Sequence, residues 1–129
     1  TKLIECKVHG ASSEEQAKIV AKSIVMSNLT KAAVFGADAN WGRVLCAIGY
    51  AKTDVDVQKV DVAFRSKAGR ILVCKNGAGV AFDEGLAKQI LLEEEIVIDV
   101  NLNSGRCEKT AYGCDLTYDY VKINGDYRT

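Results

Sequence analysis

The first segment of the chain alternates between apolar and charged residues. Ile4, Cys6 and Val8 fall on one side of an extended backbone, and the residues between them are charged. This period of two predicts a half-buried strand over residues 2–9.

Three later segments have the apolar stripes of amphipathic helices; in the first two the apolar residues recur at i, i+3, i+4 and i+7, and in the third they fall on one inward-facing side. Ser12 and Glu15 have the capping-box spacing that predicts the start of the first helix, which should end near Asn28. Asp38 or Asn40 can cap the second helix, and Asp83 can cap the third. The apolar stripes of these helices are Ala17, Val20, Ala21 and Ile24; Trp41, Val44, Leu45 and Ile48; and Leu86, Ala87, Ile90 and Leu91.

Several short segments between the helices have the alternation or apolar character of strands. They span residues 31–35, 59–65, 70–75, 96–102 and 106–112, with turns at 66–69 and 103–105. The last two predict an antiparallel pair, and the tail after Asp115 predicts a short helix followed by a turn. The sequence therefore predicts a single α/β (α+β) domain over residues 1–129. Its sheet should be mixed or antiparallel, with about five or six strands packed against three or four helices.

Composition narrows the classes of protein that this domain can belong to. Lys plus Arg and Asp plus Glu both number 17, and a net charge of zero argues against a nucleic-acid or membrane-surface protein. No apolar run approaches the ~20 residues that span a bilayer, and the first residues do not resemble a signal peptide. Five irregularly spaced cysteines without a CxxC pair disfavour both a disulfide framework and a zinc site.

Thr1 is a candidate nucleophile. An N-terminal threonine carries an attacking hydroxyl and a free amine that can act as its base, which suffices for acyl transfer. The alternative is that residue 1 is only where the polypeptide starts, and no glycine loop for an oxyanion hole lies near it in sequence.

Two glycine-bearing segments are candidates for a binding site. GADANWGR (residues 36–43) could bind a charged small molecule through its Asp, Asn and Arg, or could be a capped turn in which Arg43 pairs with Asp38. NGAG (residues 76–79) could cradle a phosphate, although a plain turn is the favoured interpretation because a lone GxG is weakly specific.

Paired carboxylates and thiols are the remaining candidates. Asp115 and Asp119 would share a helical face and could do acid/base work, but acids complementing a helix dipole explain Asp115 equally well. A Cys–His nucleophile would have to use His9, the single histidine, so buried structural thiols are favoured.

The whole chain resembles the ornithine acetyltransferase (glutamate N-acetyltransferase) family. The opening TKLIECKVHGA, the central SIVMSNLTKAAVFGADANWGRVLCAIGYA and the tail CDLTYDYVKINGDYRT all match the patterns of that family. This chain has Ala39 where the family usually has Pro, and Gly125 where it commonly has Ala. Neither departure removes a polar group.

The resemblance implies an acyltransferase of arginine biosynthesis in the cytoplasm. Members of the family cut themselves before a threonine, and two copies of each resulting chain usually assemble. The new N-terminal Thr takes acetyl from N-acetylornithine and passes it to glutamate, without a metal or organic cofactor. Some members also use acetyl-CoA.

The resemblance also implies which part of the enzyme this chain represents, the C-terminal domain of the second (beta) chain. The family nucleophile lies in an Ala-Thr-Met context that is absent here, so its role is not carried over to Thr1 and no catalytic residue is assigned. Asn124 and Thr129 match family positions that contact the substrate, with Gly125 expected to supply the turn that aligns them. The partners implied are the alpha chain and the upstream part of the beta chain. The alternatives are an N-terminal-nucleophile amidohydrolase that uses Thr1 and a non-catalytic assembly module.

Overall fold

The structure, a computed structural model, describes residues 1–128 and contains six strands and five helices in that range. The strands are β1 Leu3–Ala11, β2 Asp61–Ser66, β3 Gly69–Lys75, β4 Ala78–Gly79, β5 Glu95–Asn101 and β6 Cys107–Cys114. The helices are α1 Glu14–Met26, α2 Asn28–Phe35, α3 Trp41–Gly49, α4 Glu84–Leu91 and α5 Tyr118–Asp126. A short 3-10 turn at Val57–Lys59 precedes β2.

The six strands form one mixed sheet in the order β4-β3-β2-β5-β1-β6. β1 and β5 are parallel neighbours, with Cys6 opposite Ile98, and every other pairing is antiparallel. The predicted α/β class with a mixed sheet is therefore confirmed.

The core lies between one face of this sheet and the helices. Ile4, Cys6 and Val8 are fully buried, as are the alternate residues of β5. α1 places Val25 against Gly113 of β6, and α4 places Ile90 near Gly69 of β3. The intervening side chains of β1 and β5 are half-buried or exposed. Helices at both ends of the sheet thus close a continuous apolar core.

The predicted strand at residues 31–35 is wrong, because this segment belongs to helix α2. A short apolar run fits a buried helix as well as a strand. Ser27 decides the outcome locally, since its Oγ accepts a hydrogen bond from the Thr30 backbone N–H at 3.2 Å and caps the helix. The first helix begins one residue later than predicted, with Ser13 as its cap in place of Ser12.

The predicted pairing of the last two strands is also wrong, because β1 lies between β5 and β6. The connection after β5 crosses the end of β1, where the Leu102 N–H donates to the His9 carbonyl at 3.0 Å and the Ser104 N–H donates to the Gly10 carbonyl at 2.7 Å. Gly105 lies directly against the Ala11 backbone, where a Cβ would clash. These contacts direct the chain past β1 to its outer side.

No helix among residues 1–128 is long and apolar enough to cross a membrane.

Candidate functional site

The tail that carries Asn124 is attached to the domain at its base. Asp115 is 5% exposed, and its Oδ1 accepts a hydrogen bond from the Lys2 backbone N–H at 2.7 Å. The Asp115 N–H donates to the Lys2 carbonyl at 3.3 Å, and the Leu116 N–H donates to the Lys31 carbonyl at 3.3 Å. The first residues of the tail are therefore fixed against β1 and α2.

The Lys2 side chain links the same point to the end of α2. Its Nζ donates to the Val34 carbonyl at 2.7 Å, near the C-terminus of the helix, where a cation is favoured by the partial negative charge. Burial lowers the pKa of the Lys2 ammonium, while the charge of Asp115 acts in the opposite direction. Lys2 thereby joins the first strand, α2 and the tail at one place.

Helix α5 extends from this base and buries none of its residues. Thr117 caps it through an Oγ1 that accepts from the Tyr120 N–H at 2.9 Å. The Tyr118 ring meets Phe35 edge-on, with 5.1 Å between ring centroids. The large apolar side chains of this segment are exposed: Tyr118, Tyr120, Val121, Ile123 and Tyr127. The tail is thus a helix anchored at one end.

Asn124 lies inside α5, and its side chain is exposed. Its Nδ2 donates to the Tyr120 carbonyl one turn earlier, at 2.9 Å, while its amide oxygen accepts no hydrogen bond from any described residue. The expectation that Gly125 turns the chain is wrong, because Gly125 is part of the same helix. Thr129, the other predicted substrate contact, lies outside the described residues.

The segment GADANWGR joins α2 to α3 through a compact turn. Ala37 has a positive φ of 53°, and the hydrogen bonds from Asp38 N–H to the Ala33 carbonyl and from Ala37 N–H to the Val34 carbonyl form a Schellman end to α2. Asn40 then caps α3 by accepting from the Arg43 N–H at 3.1 Å. The backbone of this segment is therefore used mainly to end one helix and start the next.

The two glycine-bearing segments meet in the folded chain. Trp41 lies directly on Gly79, where a Cβ would clash with the indole. The Gly77 N–H donates to the Val60 carbonyl at 2.8 Å. Asn76 and Gly77 form a turn, as the favoured interpretation predicted, whereas Ala78 and Gly79 form β4, which pairs back on β3. Arg43 donates to the Leu29 carbonyl at 3.0 Å, and the suggested pairing of Arg43 with Asp38 is not formed.

Thr1 is exposed beside the base of the tail. It lines a shallow pocket together with Lys2, Phe35, Asp115, Thr117, Tyr118 and Asp119. The expectation that Asp115 and Asp119 share a helical face is wrong, because Asp115 precedes α5 and is held by the Lys2 backbone. Asp115 and Asp119 therefore both lie near Thr1 in this pocket, but they are not on one face of a helix as their spacing of four residues suggested.

The histidine and the thiols do not form a nucleophilic pair. His9 Nε2 lies 2.8 Å from Asp99, and Arg70 approaches the same carboxylate at 3.7 Å. Cys6 is fully buried, and that burial, reinforced by Asp99, raises the pKa of its thiol. Cys46 and Cys114 are exposed. No group of three or more metal-binding side chains occurs within residues 1–128.

Sequence reasoning missed two residues that shape this region, Lys2 and Phe35. Lys2 is a charged residue at the start of a strand, and nothing in its sequence neighbourhood indicates that it reaches the end of α2. Phe35 was assigned to a strand, which hid its contact with Tyr118. Only the tertiary packing brings these residues to the base of the tail.

The fold and the tail define a mixed α/β domain with a projecting C-terminal helix, and comparison with known proteins identifies its family. The ArgJ family model matches residues 1–129. The chain therefore belongs to the ArgJ family.

Individual relatives match this chain along its whole length. Arginine biosynthesis bifunctional protein ArgJ 1 of Clostridium acetobutylicum is 57% identical over 129 residues, which make up 32% of that protein. Glutamate N-acetyltransferase of Methanopyrus kandleri is 49% identical, with 33% of its length covered. The chain thus spans about a third of the length of these curated relatives.

A solved structure has the same fold. The crystal structure of arginine biosynthesis bifunctional protein ArgJ from Bacillus halodurans superposes with a TM-score of 0.91 at 46% identity. The match covers 98% of this chain and 58% of that chain.

Proposed function

We propose that this chain is the C-terminal domain of the beta chain of an ArgJ-type enzyme that moves acetyl from N-acetylornithine to glutamate. In this proposal the chain supplies substrate-binding residues, Asn124 and Thr129, and the acyl-accepting threonine belongs to the upstream part. The observation that carries the proposal is the match of the ArgJ family along all 129 residues, joined to relatives named for arginine biosynthesis and glutamate acetylation.

The geometry of the tail supports a role in a site completed by other polypeptide. α5 buries nothing on this domain, and its large apolar side chains are exposed. A helix of this length is marginal on its own, so packing against another surface would stabilise it. We propose that the alpha chain and the upstream part of the beta chain provide this surface, in an assembly with two copies of each chain.

The chemistry of Asn124 suits an amino-acid substrate. A free amino acid presents a carboxylate and an amine, and an Asn amide offers both a donor and an acceptor. Asn124 uses one amide hydrogen within its own helix, and its oxygen accepts no hydrogen bond from any described residue. In the proposed enzyme that oxygen accepts from the substrate amine. The proposal needs neither a metal nor an organic cofactor, and we propose a cytoplasmic location because the relatives are named for arginine biosynthesis.

Kinetics of the Asn124→Ala variant, in the assembled enzyme, test this role. Loss of the amide leaves a polar substrate group unpaired, which should weaken substrate binding by about 1–3 kcal/mol. Initial rates at varied N-acetylornithine and glutamate should therefore give a KM raised roughly fivefold to 150-fold.

The matched control is Lys122→Ala, which shortens another exposed side chain of the same helix and should leave both KM values near wild type. Unchanged kinetics for both substrates in Asn124→Ala would remove Asn124 from the site. An equal loss in the control would assign the effect to the helix as a whole.

A further inference from the structure

The two edges of the sheet are protected to very different degrees. At one edge β4 has only two residues. At the other, β6 has eight residues and pairs with β1 on one side only, with no further strand among residues 1–128. A long free edge exposes a row of unpaired backbone N–H and C=O groups, which can pair with another extended segment.

A groove runs alongside this free edge, between β6 and α1. It is lined by Lys18, Lys22, Val25, Met26 and the four residues 109–112. Met26 is 73% exposed and Tyr112 is 65% exposed, so apolar surface is open beside the unpaired backbone. Residues of an added strand that point toward α1 would enter this groove.

The charges around the groove are mainly positive. Lys18 and Lys22 are exposed, and neither forms an ion pair with any described residue. Lys109 pairs with Glu14 at 3.5 Å, so one cation of three is neutralised. The side chains that would lie opposite Lys18 and Lys22 are therefore acidic, and those opposite Met26 are apolar.

We infer that the β6 edge and its groove bind an extended segment, with acidic and apolar residues facing α1, that is supplied by the rest of the ArgJ-type polypeptide and adds a seventh strand. The inference rests on the proposed assembly with upstream segments. The rest of the polypeptide is long enough to supply the extended segment, because about two thirds of each curated relative lies outside the region that this chain matches. Binding of this kind combines backbone hydrogen bonds with side-chain recognition in the groove.

The same charges disfavour a second copy of this chain as the occupant. Pairing β6 with β6 would bring Lys18, Lys22 and Lys109 of both copies to one seam. Like charges placed opposite each other destabilise such a contact.

Charge reversal in the groove provides the test. This chain, tagged, is co-produced with the remaining segment of the Clostridium acetobutylicum relative, and dissociation of the purified complex is measured at fixed salt. The variant is Lys18→Glu/Lys22→Glu. The control is Lys52→Glu/Lys88→Glu, which makes the same change of charge at two exposed positions outside the groove. Circular dichroism checks that both variants fold.

The inference predicts at least tenfold weaker association for the groove variant and a change within twofold for the control. Hydrogen exchange should also show that the β6 amides on the free edge, which do not bond to β1, gain protection in the complex but not in the chain alone at high concentration. A groove variant that associates like wild type overturns the inference. Protection of the free-edge β6 amides in the chain alone that increases with concentration also overturns it, because it would indicate self-pairing.

Acetyl transfer by the wild-type complex separates the two claims. If the complex transfers acetyl while the groove variant behaves as wild type, only the groove inference fails. If the wild-type chain does not associate with the remaining segment, the proposed function fails and the inference fails with it.

Discussion

Ala37 shows how one residue limits the stability of the turn beside the tail. Its φ of 53° lies in the left-handed region, at the position of a Schellman end where glycine is usual. An L-residue with a Cβ is strained by roughly 1–2 kcal/mol in this conformation, whereas glycine adopts it freely.

Ala37→Gly should therefore stabilise the domain. The relief of strain exceeds the entropy that glycine adds to the unfolded chain, so the expected gain in the free energy of unfolding is roughly 0.5–1 kcal/mol. Ala32→Gly, inside the preceding helix α2, is the control and should lose about 1 kcal/mol. Urea denaturation measures both, and a loss in Ala37→Gly equal to that of the control would contradict the account.

Cys6 should make the free energy of unfolding of the domain vary with pH in the alkaline range. Burial raises the thiol pKa in the folded state, so above about pH 9 the unfolded chain loses a proton that the folded chain retains. Below that pH, Cys6 should therefore have no effect on how the free energy of unfolding varies with pH. Above it, the free energy of unfolding should fall as pH rises, by up to about 1.4 kcal/mol per pH unit from this group.

Denaturation of Cys6→Ser and Cys46→Ser between pH 8 and 10 isolates this contribution. Cys6→Ser removes one titrating group and should make the dependence shallower, with part of the slope retained because burial also raises the pKa of the Cys74 thiol. Cys46 is exposed, and its replacement should leave the slope of the wild type. Equal slopes in all three proteins would show that Cys6 does not titrate with unfolding.

Among the elements, α5 is the least stabilised by this domain. It buries no residue and is held at its start by the Thr117 cap and the contact of Tyr118 with Phe35. α1, by contrast, buries six residues, and five of them are apolar residues of the core. Local stability follows buried apolar contact, so the two helices should open with very different free energies.

Hydrogen exchange of the chain alone should detect this difference. Amides of α5 are expected to exchange within about tenfold of the rate of an unstructured peptide, while amides of α1 are protected by the global stability of the domain. In the assembled enzyme the amides of α5 should become protected. Strong protection of α5 in the isolated chain would contradict its dependence on other polypeptide.

The elements that were predicted correctly are those whose local pattern matches their burial. β1 alternates because only one of its faces meets the helices, and α3 and α4 have apolar stripes next to clear caps at Asn40 and Asp83. The strand predicted at 31–35 failed because an apolar run of that length has no period of its own. The predicted pairing of β6 with β5 was wrong because the 102–106 connection crosses the end of β1 and carries the chain to its far side. The local sequence of a strand does not encode which strand lies beside it.

The candidate site was less accessible to sequence reasoning than the fold. Asn124 was predicted as a substrate contact only through the resemblance to a family, since an exposed Asn in a polar tail has no periodicity to mark it. Lys2 and Asp115 come together across 113 positions of sequence, and no local pattern encodes that contact. The helical position of Gly125 was missed because glycine more often ends a helix than continues it.

At the scale of the whole molecule, the chain has a continuous buried core and two exposed surfaces that lack a packing partner within this domain. The core between sheet and helices is continuous, as expected of a domain that folds as a unit. α5 and the free edge of β6 both expose groups that another polypeptide could cover. Since the chain spans about a third of its curated relatives, these surfaces are where we expect the remaining two thirds to bind.

The most direct measurement is acetyl transfer from N-acetylornithine to glutamate, by this chain alone and by this chain co-produced with the remaining segment of an ArgJ relative. The account predicts no transfer by the chain alone and glutamate-dependent release of ornithine by the complex. Transfer by the chain alone, abolished when the Thr1 amine is blocked, would contradict the account and assign the nucleophile to Thr1. A complex that forms without transferring acetyl would leave the chain as an assembly module.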